Sequence, residues 1–260
     1  MRVATWNINS LRLRLERLIE WLRSIEPDVV ALQETKVVDE LFPAAALAEA
    51  GYQAAFAGEK SYNGVALLAK KPLADVRVEY PLAESGAKRL ISGVVGNTRF
   101  YSAYFPNGRA PETPFYDEKI RWIDAIGELV QREAQQRNVV LLGDYNVAPR
   151  PIDVYDPALL ASHIHFTAGE RSALDRLAER GLTDAFRLIR QEGEQYSWWD
   201  YRQGMFRRNL GLRIDHCWVT AQLAPRVTDA SSTSRSEPRT APPTMRQWSL
   251  TSAARRKAAG

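Results

Sequence analysis

The sequence predicts an α/β protein whose core is two packed β-sheets with helices on the outside. Two observations predict it. β-Branched or apolar runs of strand length recur along the chain, and amphipathic stretches of helix length separate some of them. Other strands are joined by turns as short as Lys71-Pro72. That mixture does not suit a doubly wound parallel sheet, where each strand needs a long crossover before the next.

The first strand run is Arg2–Ile8. A helix follows, with Leu11, Leu15, Leu18 and Leu22 on one face, Ile19 and Ile25 beside them, and Ser10 at the N-cap position. Further strands are expected at Asp28–Gln33, Gly64–Leu68, Leu90–Val95 and Arg99–Phe105. A second helix runs from Asp117 to about Arg137, and Asn138–Gly143 is again a strand. A third helix spans Glu170 to Glu179, and Arg213–Thr220 is the last strand. After Asp229 the chain has few apolar residues and no period, which predicts a disordered tail. The expected organisation is one domain over residues 1–229 and an aberrant tail over 230–260.

A chain of 260 residues, 45% hydrophobic, suits a single core. It has no apolar run near the ~18 residues of a membrane span, and MRVATWNINS enters a strand directly instead of forming a signal peptide. A cytoplasmic monomer with no membrane partner is expected. Cys217 is the single cysteine, which excludes an intramolecular disulfide and a cysteine-cluster metal site. The net charge of +4 does not mark a basic body. Residues 231–260 hold six basic side chains and one acid, leaving 29 basic and 30 acidic on the rest of the chain. Any contact with nucleic acid must rest on a local surface.

The chemistry sits at strand ends. Asn7 closes the first strand, Glu34 the second, and Asp144 with Asn146 the strand of LLGDYN; Asp215 interrupts the apolar LRIDHCW. Charged groups there are costly to bury unless paired or bound to a cation. Oxygen ligands without thiolates or a histidine pair favour a hard ion, Mg²⁺ or Mn²⁺. Taken singly, Asn7 also reads as a turn residue, Glu34 as a capping acid and Gly143-Asp144 as loop chemistry. Asp215, flanked by Ile214 and Cys217-Trp218, needs a partner. The spacing does not name a substrate.

The segments TWNINSLR, QETK, YNGVA, YFPNG, GDYNVAP, YSWWDYR and GLRIDH, in this order over about residues 1–220, resemble the exonuclease III family of metal-dependent endonucleases, exonucleases and phosphatases. The resemblance implies a four-layered α/β sandwich. It implies an Mg²⁺- or Mn²⁺-dependent DNA-repair nuclease acting on double-stranded DNA at abasic sites and 3′ ends. It makes Glu34 the main metal ligand with Asn7 close by, and places Tyr104 beside the scissile phosphate. Asp144 would orient or deprotonate the attacking water, Asn146 would hold a phosphate oxygen, and Asp215 would support the site. Trp198 falls in the segment lining a base-free sugar pocket, although the pair Trp198-Trp199 reads equally as core. Arg207 and Arg208 read either as phosphate contacts or as a solvated basic turn. A phosphatase acting on other phosphate esters, and a non-catalytic DNA-binding remnant, are the alternatives.

The family pattern ends in Ser-Asp-His-Ala-Pro, which supplies a catalytic histidine, and this chain lacks it. Its histidines are His163 and His165, in a loop-like stretch, and His216, which alternates to the face opposite Asp215. None of the three is expected to substitute. Started one nucleotide earlier, the codons of Pro243–Ser249 permit Ser-Asp-His-Ala-Pro-Val-Val, and those of Ala230–Ser234 permit Cys-Val-Ile-Asp-Lys. This predicts a slip of the reading frame near Asp229. The chain as written is then expected to lose a core strand and most of its nuclease activity.

Overall fold

The computed structural model describes residues 1–82, 86–200, 202–231 and 246–248, the last three by their backbone alone. In chain order the first elements are β1 (Val3–Asn7), α1 (Leu11–Ile25), β2 (Val29–Gln33), α2 (Ala44–Glu49), β3 (Gln53–Ala57), β4 (Val65–Ala69), β5 (Ala74–Glu79), β6 (Leu90–Val95) and β7 (Thr98–Tyr104). There follow α3 (Pro114–Ala134), β8 (Asn138–Asp144), α4 (Pro157–Leu160), α5 (Ala168–Glu179), β9 (Leu182–Asp184) and α6 (Ala185–Ile189). The last are β10 (Trp198–Trp199), β11 (Gly211–Leu212), β12 (Asp215–Thr220) and β13 (Arg246–Trp248).

Two mixed sheets face each other, in the orders β13-β1-β2-β4-β3 and β5-β6-β7-β8-β12-β9. Val3, Val29, Val65 and Leu67 from one and Phe100, Val140, Leu142 and Val219 from the other fill the space between them. On the outer face of the first sheet Leu11, Leu18 and Leu22 of α1 pack on Ala4, Trp6 and Val30. On the outer face of the second, Trp122, Ile123 and Ile126 of α3 and Leu174 and Leu177 of α5 pack on Tyr101, Val139 and Leu141. The order helix, sheet, sheet, helix is the expected four-layered α/β sandwich. Both faces of each inner strand are covered, which is why β2 and β4 are apolar without alternation.

The expected strands form within two residues of their predicted ends. Five more before the tail were not legible: the two-residue pair Trp198–Trp199 and Gly211–Leu212, and three strands of the main sheets. Gln53–Ala57 is alanine-rich, Ala74–Glu79 is an exposed charged edge, and Leu182–Asp184 is three residues long. Ser10 stands at the N-cap position of α1, as expected, but not with a capping side chain. It sits at φ 85°, ψ 100°, makes no side-chain cap bond, and donates its N–H to Glu34 O at 2.8 Å. The loop after β2 thus holds the helix start.

The tail expectation is corrected at one place. Arg246–Trp248 forms a strand antiparallel to β1, with Trp248 opposite Val3 and Arg246 opposite Thr5. A ladder is made by backbone N–H and C=O groups, so the open edge of β1 accepts an extended segment with little regard to its side chains. The expected disorder of residues 232–245 and 249–260 lies outside the described residues.

Candidate active site

At one end of the sandwich the strand ends of both sheets converge. Register places Tyr104, Asp144 and Asp215 side by side on β7, β8 and β12. On the facing sheet Asn7 lies opposite Gln33, so Glu34 is the next residue out. The asparagine joins the two sheets: Asn7 Nδ2 donates to Glu34 Oε1 at 2.7 Å and to Asp144 Oδ2 at 2.9 Å. Ser197 Oγ accepts from the N–H groups of Ile214 (2.6 Å) and Asp215 (2.9 Å), fixing the start of β12. Asn7, Glu34, Tyr104, Asp144 and Asp215 line a cavity of about 140 Å³ with Asn9, Asn107, Asn146, His165, Trp198 and Ile214. A cavity of about 470 Å³ on the flank, lined by Arg150, Asp175, Arg187 and Leu188, is larger, but the buried carboxylates of the smaller one carry the chemistry.

Local backbone strain concentrates here. Asn9, Glu34, Asn146 and His165 all have φ between 42° and 79°, a region disfavoured for residues with a Cβ. Glu34 is held there by neighbouring ladder bonds: Thr35 N–H donates to Gly64 O and Lys36 N–H to Asn63 O, both at 3.1 Å. A Cβ at Gly64 would lie 2.2 Å from Thr35 Oγ1, so only glycine permits this approach.

Burial raises the Asp144 carboxyl well above its usual range, and neighbouring Asp215 raises it further. Hydrogen bonds from Asn7 and the Asn146 N–H oppose this, and Glu34 adds to it. Burial, then the charges of Glu34 and Asp144, push the Tyr104 hydroxyl upward, so it stays protonated. Glu34 keeps its second oxygen on Lys36 Nζ at 2.7 Å. Among the described residues no three of His, Cys, Asp and Glu form a cage able to hold a metal. The oxygen donors still suit a hard divalent ion, since magnesium commonly takes only one or two protein carboxylates and completes its shell with water and phosphate. The Asn7 amide nitrogen lies between the two carboxylates, on the side of the group where a cation would be attracted.

The structure therefore brings together Asn7, Glu34, Tyr104, Asp144, Asn146, Trp198 and Asp215. It separates the adjacent tryptophans. Trp198 faces the cavity, its ring 6.0 Å from that of His165, while Trp199 is 7% exposed and packs on Tyr196 and Phe206. Arg207 and Arg208 are exposed and do not line the cavity. His216 is fully buried behind Asp215, as alternation predicts: Nε2 donates to Val147 O and Nδ1 accepts from Arg213. His165 lies in a turn, as expected, and that turn places it in the cavity wall, 8% exposed, with Nδ1 2.6 Å from Asn146 O. Burial first, then the nearby Lys119 charge, lowers its pKa to about 4, so it is neutral at pH 7. Asn107, in YFPNG, and Arg89, whose guanidinium lies 4.7 Å over the Tyr104 ring, were also not assigned; no spacing signal points to Arg89.

Residues 4–236 match the family model described as Endonuclease/Exonuclease/phosphatase family. The chain is 33% identical to exodeoxyribonuclease III of Haemophilus influenzae over 243 residues, 88% of this chain and 91% of that protein. Among solved structures it is similar to a 3′ phosphatase from Neisseria bound to a product DNA hairpin, at TM-score 0.92 and 36% identity, covering 97% of this chain and 99% of that one. An AP endonuclease from Archaeoglobus fulgidus superposes with TM-score 0.92 at 31% identity, covering 98% and 100%. No helix among the described residues is long and apolar enough to cross a membrane. The convergent acidic pocket at the end of a two-sheet sandwich and these relatives agree: the chain belongs to the endonuclease/exonuclease/phosphatase family.

Proposed function

We propose that this protein hydrolyses phosphodiesters of double-stranded DNA at abasic sites and 3′ ends, as a monomer and with Mg²⁺ or Mn²⁺. The observation that carries the reading is the cross-sheet convergence of Asn7, Glu34, Asp144 and Asp215 on one cavity walled by Trp198. Glu34, with Asn7, Asp144 and Asn146 around it, would hold the ion, which neutralises phosphate charge and steadies the leaving 3′ oxygen. Asp144, its carboxyl raised by burial, takes a proton from the attacking water, a role worth ~10²–10⁴ in rate. The protonated Tyr104 hydroxyl donates to a phosphate oxygen, and Asn146 holds another. Trp198 packs on a sugar that lacks a base. The 3′ phosphatase and the AP endonuclease among the relatives support substrates of both kinds, an end and an internal lesion.

The residues from Ala230 onward are, in this reading, out-of-frame translation, and the activity belongs to the chain completed in the other frame. The charge step at residue 231 and the recovered Ser-Asp-His-Ala-Pro support it. One set of assays tests both statements. The gene is resequenced through the codons of Val227–Gly260, and both polypeptides are incubated with Mg²⁺ and duplexes carrying an internal abasic site or a 3′ phosphate. Cleavage by the completed chain, abolished by a chelator and nearly absent from the chain as written, is expected. Cleavage of a soluble phosphomonoester but of no duplex would reverse the substrate class. A confirmed tail on a fully active chain would end the frame reading.

A further inference from the structure

Beneath the cavity lies a buried ion pair that the proposed chemistry does not use. Lys119 on α3 and Glu170 on α5 both have side chains 0% exposed. The Lys119 ammonium has three hydrogens and three acceptors: Glu170 Oε1, Asn146 O at 2.8 Å and Asn107 O at 3.1 Å. Two of these are main-chain carbonyls of asparagines whose side chains line the cavity, and they lie on different loops, one after β7 and one after β8. Glu170 is held in turn. Its Oε1 accepts from His165 N–H at 3.0 Å, and its Oε2 from Thr167 N–H at 2.9 Å and Thr167 Oγ1 at 2.8 Å. His165 Nδ1 adds a second donor to Asn146 O. Since a carbonyl only accepts, that nitrogen carries the proton.

Three further facts give the arrangement its meaning. Asn146 sits at φ 51°, in the left-handed region that asparagine enters more readily than other residues with a Cβ, so its carbonyl is turned by the loop and not by a ladder. Its carbonyl is gripped by both Lys119 and His165. Gly108, at φ 82°, leaves room for the lysine stem, since a Cβ there would lie 2.8 Å from Lys119 Cδ. Packing alone does not call for an ion pair here, because apolar residues of similar volume often stabilise a core as well or better.

We propose that Lys119, seated by Glu170, is a positioning residue: it ties the Asn107 and Asn146 loops together so that both amides point into the cavity in the geometry that turnover requires. The assignment rests on the phosphodiesterase reading given above. The Lys119 ammonium hydrogen-bonds only to main-chain carbonyls and Glu170, and its charge also acts on Asp144 without touching it, so its loss acts on kcat through Asn146 and Asp144 and spares the sugar contact proposed for Trp198.

The test is the double variant Lys119→Met, Glu170→Gln, which removes cation and anion together and strands no buried charge. In the active polypeptide, expected results are an unfolding midpoint near the parent's, KM within about twofold, and kcat lower by up to ~10²-fold, the scale of a ~1 Å misplacement. The side-chain amide NMR signals of Asn107 and Asn146 shift or broaden. Unchanged kcat with unchanged amide signals overturns the proposal. If that variant does not fold, Lys119→Gln with Glu170→Gln, which also strands no charge and keeps amide donors near the two carbonyls, should move kcat and the same signals in the same direction by less; no movement overturns the proposal. If the parent cleaves no DNA, the functional reading has failed, and the amide signals decide the positioning claim alone.

Discussion

Replacing Arg213 by methionine should cost this fold a large share of its stability, although Arg213 lies outside the cavity. Its guanidinium is 0% exposed and serves three partners: Asp153 Oδ1 at 2.6 Å, Asp184 Oδ2 at 2.6 Å and His216 Nδ1 at 2.8 Å. Asp153 is itself 0% exposed and also pairs with Arg187. Methionine fills the space of the stem and leaves two carboxylates short of a cation. Breaking one partner of a buried pair typically costs ~3–5 kcal/mol. A second route gives a similar figure. Burial raises the Asp153 pKa, but Arg213 and then Arg187 overcome this and bring it from 3.8 to about 2. Roughly two units at ~1.4 kcal/mol each is ~2–3 kcal/mol for this carboxylate. Against a total of ~5–15 kcal/mol the variant is marginal. Urea unfolding at pH 7 measures the loss. The sign with pH follows from linkage: a carboxyl depressed on folding contributes fully above its unfolded pKa and loses that contribution as pH falls through about 2. The difference between parent and variant should therefore shrink below about pH 4. A loss under ~1 kcal/mol at pH 7, or one that does not shrink in acid, would refute the network's role.

Burial, then Arg213, lowers the pKa of His216 to about 3, so the unfolded chain takes a proton near pH 6.5 that the folded chain refuses. Stability should fall as pH drops from 6.5 towards 3, and His216→Gln should flatten that slope in urea titrations. Glu34→Gln should weaken Mn²⁺ binding, read by paramagnetic resonance, at least as much as the ~10–100-fold seen when a ligand loses its outer partner; unchanged affinity would remove Glu34 from the metal site. The adjacent tryptophans should separate cleanly. Trp198→Ala should cost ~1–3 kcal/mol of DNA affinity with little change in unfolding midpoint. Trp199→Ala should cost ~3–5 kcal/mol of stability, and the reverse pattern would exchange their roles.

Sequence by itself determined the layers and most of the site. Strand-length apolar runs and the leucine face of α1 follow from periodicities of two and 3.6 residues, which are local properties. Asn7, Glu34, Asp144, Asn146 and Asp215 were legible because an acid or amide at the end of an apolar strand is conspicuous in one dimension. The strands that escaped, Gln53–Ala57 and Ala74–Glu79, are held by neighbours rather than by their own composition. Tertiary structure alone decided which groups meet. The Asn7 amide reaches Asp144 across 137 residues and between two sheets, and no spacing rule joins them. Only the fold turned Trp198 towards the cavity and Trp199 into the core, and only it brought the loop of His165 to the wall beside Asn146. The buried pair Lys119–Glu170 reads in sequence as two charges on helix surfaces, because a helix period says which face is polar but not what that face will be buried against.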